Sequence, residues 1–149
     1  KMHDSSLIAQ PLRTSSTIVC ASPKYLDSAP KIKKPTDLIQ HNCLLFTLHD
    51  KPNVWTLGKE EILVNGNLRA DSSLALRSSL LRGLGVGFIP RFLVQNDLDN
   101  QKLIPLLENF PPEAYTVFAI FPPGRKQPSK VTLFLDHLDK HLGEQPYWQ

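Results

Sequence analysis

A strand, a capped helix, a glycine stop and a second strand follow one another between Leu68 and Pro90, and few folds accept that order. Leu76, Leu80 and Leu84 recur every four residues, with Leu74 and Leu81 beside them, while Arg77, Ser78 and Arg82 fall on the other side. That spacing predicts an amphipathic helix opening at Asp71, its leucines turned to a core and its arginines to water. Gly83 and Gly85 end it, and the apolar run Val86 to Ile89 reads as a buried strand. Pro90 is then expected to start a short helix through Val94.

The rest of the chain alternates in the same way. Leu7 to Leu12 and Thr17 to Ala21 are expected as short strands separated by the polar turn Thr14-Ser15-Ser16. Ser22-Pro23 opens a helical turn, with Ser as the cap and Pro at the first position, and Pro35-Thr36-Asp37 repeats the pattern. Cys43 to Phe46, Val54 to Leu57, Glu61 to Val64 and Leu68 to Ala70 follow as strands, with Asn65-Gly66 as a hairpin turn between the last two. Leu103 to Leu107 and Tyr115 to Phe121 complete the strands. Ser129 caps a last helix whose stripe is Val131, Phe134, Leu135, Leu138 and Leu142. The tail 143–149 is expected at the surface. Strands alternating with helices make an α/β chain. Its first strands arrive without a preceding helix, and Leu7 to Leu12 must pair with something, so the chain reads as the later part of a larger domain.

Composition narrows the function. The chain is 41% hydrophobic and 21% charged, which supports a packed core and argues against disorder. Its net charge of +3 is scattered; the densest cluster, Lys31, Lys33 and Lys34, lies in a Pro-bounded stretch rather than along one face, which reads as a solvated loop and not a nucleic-acid surface. Cys20 and Cys43 each sit in an apolar run and are expected as buried thiols, which fits a reducing compartment; a disulfide between them stays open. No run reaches the ~18 apolar residues of a membrane span. Lys1-Met2-His3-Asp4 is too polar for a secretory signal.

Candidate chemistry is sparse. Gly83-Leu84-Gly85-Val86-Gly87 suggests a dinucleotide loop, but Phe88 stands where the third glycine belongs. The segment also leads from helix to strand, the reverse of a phosphate loop. Its glycines are therefore assigned to a helix stop and close packing. Asp71-Ser72-Ser73 gathers free amides and two hydroxyls at a helix N-terminus, which suits a carboxylate, but on local grounds plain capping is the better reading. His137 and His141 have the i, i+4 spacing of a zinc pair but no accompanying Glu or Cys ligand, and His3, His41 and His49 lie apart. No nucleophile elbow is present. These readings predict no catalytic residue, no metal and no cofactor.

Three segments taken in order resemble the effector-binding domain of LysR-type transcriptional regulators. The first is Asp4-Ser5-Ser6-Leu7-Ile8-Ala9 leading to Val19-Cys20-Ala21-Ser22-Pro23-Lys24-Tyr25-Leu26. The second is Pro35-Thr36-Asp37-Leu38 with His41-Asn42-Cys43-Leu44, and the third runs from Leu80 to Pro90. The close, from Leu103 to Leu107, Tyr115 to Pro122, Lys130-Val131 and Phe134-Leu135, is similar too, so the resemblance spans roughly residues 4–142.

The resemblance implies a type II periplasmic-binding-protein-like fold, two α/β lobes with a ligand cleft between them, the first lobe incomplete. Residues 1–21 would supply part of the first lobe and the crossover strand, and 22–101 the second lobe. Residues 102–142 would return to the first lobe, ending in its C-terminal helix, and 143–149 would be the tail. It places Ser72 and Ser73 beside a small-molecule effector, with a carboxylate among the expected classes. Phe46 and Thr47 would form the other wall, with Gly87 and Phe88 as further contacts. Ala70 stands where many members carry Asn, which puts one contact in doubt. The implied protein is a cytoplasmic, non-enzymatic homodimer or tetramer. It would meet DNA only through a winged helix-turn-helix that this chain lacks, and would not engage a membrane. The alternative on the same fold is a solute-binding protein of a transport system.

Overall fold

A computed structural model describes residues 7–122 and 129–142. The elements are β1 (Ile8–Ser15), β2 (Thr17–Ala21), α1 (Pro23–Leu26), a 3₁₀ helix (Pro35–Gln40), β3 (Cys43–Phe46), β4 (Val54–Leu57) and β5 (Glu60–Leu63). They continue with β6 (Arg69–Ala70), α2 (Ser73–Leu81), β7 (Val86–Pro90), α3 (Arg91–Asp99), β8 (Ile104–Leu106), β9 (Tyr115–Phe121) and α4 (Ser129–Leu142). Asp4 to Ser6 and the tail 143–149 lie outside the described residues.

Five strands form the main sheet in the order β6-β3-β7-β2-β8. β3 runs parallel to β6 and β7, whereas β2 is antiparallel to both β7 and β8. Side chains alternate across a strand, so each strand feeds two cores. Val19, Ala21, Cys43, Leu45 and Val86 pack on one face with Leu38, Trp55, Leu57 and Ile62, from the 3₁₀ helix and the β4–β5 hairpin. Ile18, Cys20, Leu44 and Ile89 pack on the other, against Leu76 and Leu80 of α2 and Val94 of α3. Burial on both faces is why these runs are continuously apolar. The stretch 22–101 therefore shares its sheet with β2 before it and β8 after it. A separate antiparallel ribbon pairs β1 with β9, from Ile8 opposite Phe121 to Ser15 opposite Tyr115.

Several local expectations are corrected. Ser72, not Asp71, is the N-cap of α2: its backbone is extended and its hydroxyl accepts the Ala75 N–H at 3.4 Å, the N3 amide. Leu84 lies beyond that helix and is exposed, as is Leu74 in its first turn. Asn65-Gly66 is no hairpin turn. β5 pairs with β4 through Gly58-Lys59, with Gly58 at φ 60, while Gly66 lies against β3, where a β-carbon would come within 1.8 Å of the Cys43 carbonyl oxygen. β1 runs on through Thr14 and Ser15, leaving Ser16 alone as the break. Pro90 ends β7 rather than opening the helix, and α3 starts at Arg91 and extends past Val94 to Asp99. Ser22 precedes α1 without a side-chain cap bond, its buried hydroxyl lacking a partner. Of the α4 stripe, Leu135 is buried, but Phe134 is exposed.

Both cysteines are free and buried, and burial pushes each thiol up to about 12, which keeps it protonated and unreactive.

α2 and α3 end in the same way. After α2, the Gly83 N–H bonds Leu80 O at 2.9 Å and the Leu84 N–H bonds Ser79 O at 3.1 Å, a Schellman cap around Gly83 at φ 80. After α3, Gln101 N–H bonds Leu98 O and Lys102 N–H bonds Asp97 O, but the left-handed residue, at φ 54, is Gln101. A β-carbon is disfavoured there, so Gln101→Gly is expected to raise stability by about 1 kcal/mol. An urea titration showing a lower midpoint for the variant would contradict this.

His41 is buried at the end of the 3₁₀ helix. The Tyr25 hydroxyl accepts the Asn42 N–H at 3.1 Å and lies 3.1 Å from His41 Nδ1, within hydrogen-bond distance. Burial, partly offset by Asp37, lowers the His41 pKa below its ordinary 6.5. The unfolded chain therefore takes up this proton first. The stabilisation is complete above pH 6.5 and is lost as the pH falls through the lower folded value. Its slope is at most about 1.4 kcal/mol per pH unit. His41→Gln is expected to flatten that part of the stability–pH curve, measured by denaturant midpoints between pH 5 and 7.

Candidate functional site

Because β3, β6 and β7 are parallel, their carboxyl ends lie along one edge of the main sheet. α2 begins two residues after β6 and so starts at that edge. In open α/β sheets this edge is where ligands bind. Here it carries a cavity of about 380 Å³, within the range of small-molecule sites.

Phe46 at the end of β3, Phe88 and Pro90 of β7, Thr17 of β2, and Ser73 and Leu76 of α2 form one side of the cavity. His49 comes from the loop after β3, and Glu113 and Tyr115 come from the connector into β9 and its first residue. The site is thus bounded by the main sheet and by the segment that leads into the ribbon. The His49 ring meets Phe46 edge-on at 5.3 Å and lies near-parallel to Phe88 at 6.5 Å. On its far side Phe88 packs at 5.4 Å from the buried Trp55, which holds its ring in place. A second cavity, of about 320 Å³, lies there against Trp55 and shares His49 and Phe88 with the first.

Of the six residues singled out from sequence, the structure brings Phe46, Ser73 and Phe88 together at the cavity wall. Ser72 is exposed, with its hydroxyl engaged by Ala75. Thr47 is exposed too, and its N–H continues the β3–β6 pairing by bonding Ala70 O at 2.9 Å. Gly87 faces α2: a β-carbon would lie 2.7 Å from Leu80 Cδ1, so its small size lets helix and strand approach. His49, Glu113, Tyr115 and Thr17 were not anticipated. No local pattern marks them, since two are loop residues and two open strands that read only as strands.

Among the described residues, no group of three or more His, Cys, Asp and Glu could hold a metal ion. None of their helices is long and apolar enough to cross a membrane.

Comparison with known proteins places this architecture. The chain is 30% identical over 149 residues to the HTH-type transcriptional regulator PtxR of Pseudomonas aeruginosa, covering 97% of this chain and 48% of that protein. It is 32% identical over 147 residues to the regulator CrgA of Neisseria meningitidis, covering 96% and 49%. The chain spans about half the length of the curated relatives it matches. The solved regulatory domain of CrgA, a LysR-type transcriptional regulator from Neisseria meningitidis, superposes with a TM-score of 0.83 at 32% identity, over 94% of this chain and 71% of that one. The fold is therefore the type II periplasmic-binding-like α/β architecture of those regulatory domains. The family model of the LysR substrate binding domain matches residues 2–143, and the chain belongs to that family.

Proposed function

We propose that this chain is the effector-sensing part of a bacterial LysR-type transcriptional regulator. The observation that carries this reading is the ring-walled cavity at the carboxyl ends of β3 and β7, closed on its other side by the segment leading into β9. A small molecule there touches Phe46, Ser73 and Phe88. Thr47 and Ser72 adjoin the lining residues Phe46 and Ser73 in the chain, and Gly87 sets the distance between α2 and β7. The second lobe is centred on 22–101 and takes in β2 and β8. The first lobe includes β1, β9 and α4.

Among the described residues, two stretches join the main sheet to the ribbon: Ser16, between β1 and β2, and 107–114, between β8 and β9. Closing the cleft on a ligand bends both, shifts the ribbon and re-spaces DNA-binding heads carried elsewhere in the protein. Homodimers or tetramers in the cytoplasm fit that role, and no catalysis is proposed. The carboxylate expected from the helix N-terminus has weaker support, since Ser72 is engaged in capping and Glu113 faces the same cavity. The name "regulator" in the relatives above favours this reading over a transport solute-binding protein.

The test is a thermal-shift screen of small carboxylates, aromatics and amino acids against the chain, followed by calorimetry on Phe46→Leu and Phe88→Leu. Losing one ring is expected to weaken the best compound about tenfold, the equivalent of roughly 1.4 kcal/mol. A screen with no hit, or a hit indifferent to both changes, removes this cavity as the effector site.

A further inference from the structure

The chemistry of the cavity wall says more about its ligand than the fold does; the argument rests on the cleft reading above. Three aromatic side chains and one imidazole, Phe46, Phe88, Tyr115 and His49, line the cavity. Leu76 and Pro90 add hydrocarbon to the same lining. Such a wall favours a planar, largely apolar group, because offset and edge-to-face ring contacts add to the gain from burial.

The wall also carries one carboxylate. Glu113 comes from the connector before β9 and lines the same cavity as the rings. Among the described residues it forms no ion pair or hydrogen bond, and neither Lys nor Arg lines this cavity. Its charge is tolerable while the connector is open to water. Drawing it against a bound ligand removes that water, and an unpaired buried carboxylate is costly. A ligand with a positive nitrogen removes that cost and gains from the negative ring faces, whereas a ligand carboxylate meets a like charge. The positive end of α2 lies on the Ser73 side, so an ammonium is oriented away from it, toward Glu113.

We infer that the cleft selects an arylalkylammonium ion, its ring between Phe46, Phe88 and Tyr115 and its nitrogen held by the Glu113 carboxylate.

Three probes of matched size test this by ligand-observed NMR titration of the whole chain at low salt: 2-phenylethylammonium, 2-phenylethanol and phenylacetate. The expected order is cation, then neutral, then anion, with about tenfold or more between the first and the last. Glu113→Gln, a change at an exposed loop position, is expected to bring cation and neutral probe to equal affinity. Phenylacetate binding as tightly as the cation overturns the inference, as does a cation preference that survives Glu113→Gln. In both cases, binding that weakens in Phe88→Leu leaves the cleft itself standing. Failure of all three probes to bind overturns the inference, while the cleft reading is decided separately by the wider screen and the Phe46→Leu and Phe88→Leu variants.

Discussion

Arg77→Met is expected to lower the unfolding free energy by about 3–5 kcal/mol, the cost of leaving a buried carboxylate without its partner. Arg77 sits on α2 and donates two hydrogen bonds to Asp97 of α3, Nε to Oδ2 at 2.5 Å and Nη2 to Oδ1 at 2.8 Å. Asp97 is 1% exposed, so its carboxylate depends on the guanidinium for its pairing. The same pairing holds the Arg77 pKa above its ordinary value. With domain stabilities of about 5–15 kcal/mol, a loss of this size leaves little margin. The double change Arg77→Met with Asp97→Leu is expected to recover most of the loss, because two packed apolar groups need no compensation. Urea midpoints at pH 7 decide the matter. A single variant within about 1 kcal/mol of the parent would mean that the pair is solvated rather than buried.

The second large effect falls on the glycine run that leads into β7. A β-carbon on residue 85 would lie 2.1 Å from the Asn42 carbonyl oxygen and 2.9 Å from Leu44 Cδ2. That carbonyl also accepts the Val86 N–H at 2.9 Å, so it cannot move away without breaking the junction of β3 and β7. Gly85→Ala is therefore expected to cost more than about 3 kcal/mol, beyond the usual range for overpacking. Gly87→Ala meets only the end of the Leu80 side chain, which can shift, and is expected to cost about 1–2 kcal/mol. Adding Leu80→Val should return part of that smaller loss and none of the larger one. Thermal unfolding of the two single and two double variants gives the ranking, and equal losses at 85 and 87 would show that both sites relax alike. The glycines that resembled a nucleotide loop in sequence are thus spacers between a helix and two strands.

The Arg77–Asp97 pair also shows where sequence reasoning stops. Leucine spacing put Arg77 on the outward side of α2, and nothing local opposes that, because its partner lies twenty positions on in another helix. Asn65-Gly66 failed for a related reason: the dipeptide is a turn signal, but here glycine is needed for contact with Cys43 of a strand that is distant in sequence. The strand order β6-β3-β7-β2-β8 was equally illegible, since short apolar runs buried on both faces have no periodicity to reveal their neighbours.

By itself the sequence determined what acts within a few residues: the α/β alternation, the glycine-led stop of α2, and the ordered motifs of the LysR substrate-binding family. Cap bonds and side-chain periodicity reach only three or four residues, so these features are written locally. Only the tertiary structure decided which of the expected site residues share a cavity. It set Phe46, Ser73 and Phe88 on one wall and sent Ser72 to capping, Thr47 to the sheet edge and Gly87 to the helix interface. It also brought Glu113 and Tyr115 to the same cavity, from a connector whose position depends on the chain leaving one sheet at β8 and joining another at β9. A cavity is a product of such long-range pairings, and its charge is the sum of side chains that no local pattern brings together.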